Sequence, residues 1–373
     1  VKFEDYGIYT QVEQLNKTAL KSHGLDSNGQ LYKINSFEFY RYEDIIKKED
    51  DAGYDKTAFE KMLEIKGDSD HTKLIDMLTD LNDYSIGIED VLKEHFDEEN
   101  IVYWMAFQIL MGNVDTQNRN VYLYSPLNSD IWYFIAWDND GCLMRPEYEL
   151  RNFSDQNSWE KGISNYWGNI LFQRCLKSRS FREKLNDAIL DLREYLNKDM
   201  LTSKIESYKN VLKPYLYLMP DAEYEPLTSE QYDQIAASLP DEIEKNYQLY
   251  LESLETPMPF YIGVPTIDGD KLKFNWDVSY DLDAEDITYS VEVAGDYLFR
   301  DVIYQNTTLT VPEAEMDLPK AGQYFVRVRA TNTSGKTQDA FDYYVTDEGK
   351  YYGMRCFYIT EDSTVEEDDY EEG

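Results

Sequence analysis

An α+β domain followed by a β-sandwich is the fold class that this sequence predicts, on three observations. Between residues 46 and 254 apolar side chains recur mainly at helical spacing. Within residues 109–143 that texture is broken by two short apolar runs with a polar turn between them, the pattern of paired strands. Beyond Glu255-Thr256-Pro257-Met258-Pro259 the spacing changes to short alternating runs divided by turn residues, which is sandwich texture.

Composition bounds the function. The chain has 373 residues, 42% of them apolar, enough for two or three packed domains. A formal charge of −37 repels nucleic acid and anionic membranes, so neither is an expected partner. The abundant tyrosines, 33 in all, suit either a recognition surface or simple compositional habit. Three scattered cysteines (Cys142, Cys175, Cys356) and three histidines (His23, His71, His95) form neither a disulfide framework nor a zinc pattern. No apolar run approaches the roughly 20 residues that span a bilayer. The chain begins at Val1, inside a strand-like run, and reads as a fragment from which a leader is missing.

In order along the chain, residues 5–13 alternate around Ile8, Thr10 and Val12 and predict a strand. Leu15–Leu20 predicts a short helix ending at His23-Gly24, then an Asp26-Ser27-Asn28-Gly29 turn and a strand at Leu31-Tyr32-Lys33. Residues 46–98 are charged and helical, with Ala58, Met62 and Ile65 on one helical face and Leu74, Met77 and Leu78 on another. Ile101–Met111 is an apolar, core-forming helix that delivers the chain to the loop Gly112–Asn120. Arg145–Asn165 reads as irregular, with Arg145 and Arg151 as solvated surface in the first reading and as partners of a phosphate or an acidic substrate in the second. Trp167–Tyr217 is helical, with Ser180 as an N-cap, and Asp241–Leu254 is a last helix.

The chemistry concentrates in residues 109–143. Asp115 and Asn120 stand in one loop, five positions apart. An Asp at that spacing suits proton acceptance from an attacking hydroxyl, and the Asn offers a neutral oxygen to a divalent cation. A hairpin formed by the runs Val121–Tyr124 and Ile131–Trp137 returns Asp138-Asn139-Asp140-Gly141 toward Asn120, adding charged ligands. Read piece by piece, the same residues are ordinary turn formers, and Asp-x-Asp-Gly also occurs in calcium loops, although the closing Glu of an EF-hand is missing.

Gly112-Asn113-Val114-Asp115, Asn120-Val121-Tyr122-Leu123-Tyr124 and Trp137-Asp138-Asn139-Asp140-Gly141 together resemble the CotH (spore coat protein H) family of atypical protein kinases. The resemblance covers residues 1–255. It implies a kinase-like domain with a partial small lobe and a mainly helical large lobe, using ATP and Mg or Mn. It implies Asp115 as catalytic base, Asn120 and Asp138 as metal ligands, and Asp140 as a secondary one. Through the pattern G-x-Y-x-x-x-E followed by L-Y-K, it also makes Lys33 a candidate for holding nucleotide phosphates and Glu13 a candidate for orienting that Lys in the nucleotide-binding half; by spacing alone both are equally surface strand charges. The family's upstream R-x-K-G-N-S-like segment has no counterpart here, so ATP binding by the fragment is expected to be weak.

Residues 256–347 resemble a fibronectin type III or immunoglobulin-like module. Trp276 stands where such modules bury a Trp, and Leu318-Pro319-Lys320-Ala321-Gly322-Gln323-Tyr324 resembles their tyrosine corner. Strands are expected at 272–276, 287–293, 309–311 and 324–330, followed at 348–373 by a short strand and an acidic, mobile tail. The combined expectation is a bacterial extracellular or cell-surface kinase that phosphorylates Ser/Thr hydroxyls of proteins, its sandwich acting as spacer or as a platform for a surface polymer. The alternative is a non-catalytic adhesion or interaction protein built on the same scaffolds. A glycoside hydrolase requires a paired-carboxylate motif that is not visible.

Overall fold

The structure is a computed structural model and describes residues 5–150, 159–347 and 349–367. The chain divides into two compact units, 1–150 with 169–247 and 151–168 with 248–373. That division differs from a single boundary at 255/256 by assigning 159–168 and 248–255 to the sandwich side.

The first unit is mixed α and β. Helix α1 (Lys17–Ser22) starts where the Asn16 side chain accepts the Thr18 and Ala19 amides. Strand β1 (Gln30–Ile34) follows the expected turn. Helix α2 (Lys56–Met62) runs straight into β2 (Leu63–Ile65), which pairs with β1 through Tyr32 opposite Ile65. Ile65 therefore lies on a strand, a correction to the helical face assigned to it. Helices α3 (Thr72–Asn82), α4 (Ile88–His95) and α5 (Glu98–Met111) come next, then the hairpin β3 (Val121–Ser125) and β4 (Tyr133–Ala136). The four strands form one antiparallel sheet in the order β2-β1-β3-β4.

Residues 5–15 form no strand. Alternation predicts a face but not a neighbour, and the sheet's edges are β2 and β4. The segment instead hangs on Asp221, whose carboxylate accepts the Ile8 amide at 2.9 Å. Helix α6 (Arg145–Leu150) replaces the expected irregular start of 145–165, and residues 151–158, Arg151 among them, lie outside the described residues.

Helices α7 (Ile170–Lys177), α8 (Arg179–Tyr195), α9 (Lys198–Leu216), α10 (Ser229–Ser238) and α11 (Glu242–Leu254) follow. Ser178, not Ser180, caps α8, because its hydroxyl is the one that accepts the Phe181 amide. Helix α10 went unpredicted; a capping box between Thr228 and Gln231 starts it. Burial makes α5 the centre of this unit: it is apolar nearly all round, and Trp104 stacks on Phe134 of β4 at 5.1 Å and on Phe172 of α7 at 5.6 Å. His71 is a core residue, its two ring nitrogens meeting Tyr32 and Tyr54 hydroxyls at 2.8 and 3.3 Å.

The second unit is a β-sandwich. Its strands are β5 (Thr266–Asp268), β6 (Lys271–Asn275), β7 (Ile287–Ala294), β8 (Val302–Leu309), β9 (Glu313–Asp317), β10 (Gly322–Asn332), β11 (Thr337–Asp339), β12 (Tyr343–Thr346), β13 (Gly349–Tyr352), β14 (Met354–Ile359) and β15 (Val365–Glu367). One sheet runs β5-β6-β9 and the other β15-β14-β10-β7-β8 with β11 beside β10. Leu272 and Phe274 from the first sheet and Val291, Val293, Val326, Val328 and Phe357 from the second share one core with Trp276. The expected strand at 309–311 ends at Leu309, with β8 extending back to Val302. The acidic stretch is corrected at 365–367, where β15 pairs with β14; its apolar Val365 packs on the core, and residues 368–373 lie outside the described residues. The Tyr324 hydroxyl donates to the Lys320 carbonyl at 2.9 Å, closing a tyrosine corner.

Candidate active site

The site is assembled at the C-terminal end of α5. Gly112 ends that helix in the left-handed region, φ 61°, turning the chain into the Asp115 loop. Asn113 is buried and works as a hub: its amide donates to Gln108 Oε1 at 3.0 Å, and its Oδ1 accepts the Asp115 amide at 3.3 Å. Gln108 Nε2 in turn donates to Asn139 Oδ1 at 3.1 Å, joining the Asp115 loop to the Asp138–Gly141 turn. Gly141 fits tightly against this hub. A Cβ there would lie 2.6 Å from Asn113 Oδ1 and 3.8 Å from the Asp115 Cβ, so only a glycine lets the two segments approach so closely.

Asn120, itself in the left-handed region at φ 58°, donates through Nδ2 to Asp115 Oδ2 at 2.7 Å. Arg119 Nε stands 3.5 Å from the other Asp115 oxygen. The half-exposed carboxylate is thus aimed by one amide and one guanidinium. The base of the loop is braced from the 37–42 segment: the Asn118 amide donates to Glu38 Oε1 at 2.6 Å, and the Phe37 N–H donates to the Asn118 carbonyl at 2.8 Å.

Asp138 follows β4 in a left-handed conformation, φ 52° and ψ 65°, which swings it out of the strand. Its carboxyl is held above the ordinary carboxylate range, first by partial burial, then by the charge and hydrogen bonding of Asp140 and by the charge of Asp115; Lys33 works in the opposite direction. Asp115, Asp138, Asp140 and Lys33 therefore share one electrostatic neighbourhood. Lys33 reaches it from β1, opposite Tyr122, which is in turn opposite Ile135. Glu13 does not join them: its carboxylate engages His23 Nε2 at 2.7 Å and Ser22 Oγ at 3.3 Å, beside α1.

Carboxylate and amide oxygens of this kind suit a hard divalent cation that is shared with phosphates, because such a cation needs only one or two carboxylates and retains its waters. Among the described residues no group of three or more His, Cys, Asp or Glu is set to hold a metal. Burial raises the Cys142 thiol to about 12, which makes it inert. The sequence reading missed Gln108 and Asn139 as the bridge; a lone amide in the otherwise apolar run Ile101–Met111 was the signal for Gln108. Arg145 was misread as solvated: it lies 3.3 Å from the fully buried Glu242.

A loop carrying Asp and Asn five residues apart, leading through a hairpin to Asp-x-Asp-Gly in an α+β unit, places the protein in the kinase-like class. Residues 1–250 match the family described as CotH kinase protein, and the chain belongs to that family. No curated protein matches the chain. Among solved structures, the twitchin kinase region from C. elegans (Fn31-NL-kin-CRD-Ig26) is similar at 15% identity over 26% of this chain and 20% of that one, with a TM-score of 0.20. The surface layer protein SbsC, domains 1–6, aligns at 11% identity over 88% of this chain and 41% of that one, with a TM-score of 0.15. Superpositions this poor carry no structural argument. Among the described residues no helix is long and apolar enough to cross a membrane.

Proposed function

We propose that the protein is an ATP-dependent kinase of the CotH type, transferring the γ-phosphoryl group to Ser/Thr hydroxyls of secreted or surface proteins. The observation that carries this reading is the suture of the Asp115 loop to the Asp138–Gly141 turn by Gln108, Asn113 and Asn139. Asp115 accepts the proton of the acceptor hydroxyl as its oxygen attacks the γ-phosphorus, and the bond to the ADP oxygen breaks. Asn120 keeps the Asp115 carboxylate turned toward that proton. Asp138 and the Asn120 Oδ1 would hold Mg or Mn, with Asp140 as a secondary ligand, and the bound cation would supply charge neutralisation to the phosphates. Lys33 supplies a positive charge to the same phosphates. Glu13, engaged with His23, has no assigned part in this scheme.

The sandwich is read as a fibronectin type III or immunoglobulin-like module, supported by the buried Trp276 and the Tyr324 corner. It serves as spacer or as a platform for a surface polymer, and the whole protein works at the bacterial cell surface. Incubation with labelled ATP, Mg or Mn and an acceptor protein tests the catalytic reading: label transfer is expected from the unaltered chain and is lost in both Asp115→Ala and Asp138→Ala. Equal labelling in all three removes the assigned roles.

A further inference from the structure

The Asp115 loop and the segment following Asp140 are held together a second time, on the side of α11. Glu242 and Asn246 lie one helical turn apart and so share a face. Glu242 is fully buried, 3.3 Å from Arg145 Nη1 and 2.7 Å from Lys245 Nζ. Asn246 is also buried and uses both ends of its amide. Its Oδ1 accepts from Arg145 Nη2 at 2.6 Å, and its Nδ2 donates to the Leu110 carbonyl at 2.9 Å. Gly112 is fitted to it: a Cβ at Gly112 would stand 2.7 Å from Asn246 Nδ2. Between these contacts the Leu143 amide donates to the Met111 carbonyl at 2.8 Å, so the two strands of chain run side by side there.

We propose that Asn246 is a positioning residue for the phosphotransfer site, fixing the spacing between Asp115 and the Asp138/Asp140 pair by bridging Leu110 to Arg145. The inference rests on the kinase reading of that site. Leu110 lies five residues before Asp115, and Arg145 five after Asp140. A shift at this bridge therefore reaches both groups with little slack to absorb it. Misplacement by a fraction of an ångström is enough to cost rate or metal affinity. A single neutral amide makes both contacts, and the Glu242–Arg145 pair keeps the guanidinium in reach of it.

The test uses the full chain, with Mn2+ binding followed by calorimetric titration and label transfer from ATP to casein. Asn246→Ala is expected to raise both the Mn2+ dissociation constant and the KM for Mn·ATP by about tenfold or more. Leu185→Ala, a buried change in α8, is the control: it lowers the melting temperature and leaves both constants unmoved. Asn246→Asp keeps the acceptor for Arg145 and loses the donor to Leu110, and Arg145→Lys keeps the charge and loses the fork. Each is expected to raise the same two constants severalfold, and they carry the test should Asn246→Ala fail to fold. The proposal is overturned if these variants lose only thermal stability, as the control does. A wild-type chain that neither binds Mn2+ nor transfers label, indistinguishable from Asp138→Ala, instead overturns the underlying kinase reading. An active wild type with unchanged Asn246 variants overturns the bridge alone.

Discussion

Two acidic networks, one in each unit, show how the same side chain serves different ends. In the sandwich, Asp342 is buried, and burial raises its carboxyl. Two Arg355 nitrogens at 3.0 Å and the Ile262 amide at 2.7 Å compensate it, and Arg355 extends to Glu367 at 3.1 Å. In the kinase-like unit, Asp138 is raised as well, but after partial burial the causes are its own kind, Asp140 and Asp115. The groups arranged around these three carboxylates are the neutral amides Gln108, Asn113, Asn120 and Asn139 and, among the described residues, only two cations, Arg119 at 3.5 Å from Asp115 and Lys33. A carboxylate neutralised by arginine is finished as a structural element. Carboxylates gathered by amides retain unspent negative potential, which is what a cation site requires.

The sharpest way to break this comparison is to remove one carboxylate from each network. Asp115→Ala is expected to lower label transfer by about 10²–10⁴-fold, the range for a lost general base, with little change in melting temperature. Asp342→Ala removes the main partner of the Arg355 guanidinium and the acceptor of the buried Ile262 amide. It is expected to cost about 3 kcal/mol in urea unfolding of the sandwich. If Asp115→Ala proved the more destabilising of the two, the division into a structural and a functional network would fail.

Smaller changes sharpen it. Gly141→Ala drives a methyl into Asn113 Oδ1, and Mn2+ binding measured by titration is expected to weaken severalfold while the fold persists. The pH dependence should follow from the raised Asp138 carboxyl. Stability that its protonated form contributes is present below the ordinary carboxylate range and is lost as pH rises through the raised value. Mn2+ must displace that proton, so affinity should fall on acidification at a higher pH than for an unperturbed carboxylate. Asp140→Asn removes the repelling charge and should move the midpoint of Mn2+ affinity to lower pH. An unmoved midpoint would mean that Asp140 does not act on Asp138.

Much of this was legible before any coordinates. The Asp115–Asn120 spacing, the β3–β4 hairpin and the glycines at 112 and 141 are local features, encoded within about thirty residues of one another. Helices α3, α4, α5, α7 and α8 follow directly from periodicity, and Trp276 and Tyr324 mark the sandwich core and corner. The errors share a cause. Residues 5–13 have strand alternation but no edge to join, Ile65 has helical spacing but a strand partner in Tyr32, and Glu13 found His23 where family resemblance pointed to Lys33.

By itself the sequence determined which residues are able to do chemistry and which local turn carries each one, because turn preference, periodicity and charge are properties of neighbours along the chain. Tertiary structure alone decided which of them meet. Gln108 finds Asn139 across 31 positions, and Arg145 finds Asn246 across 101. Those pairings depend on how helices and strands pack, a matter of buried shape and satisfied polar groups that no short window of residues contains.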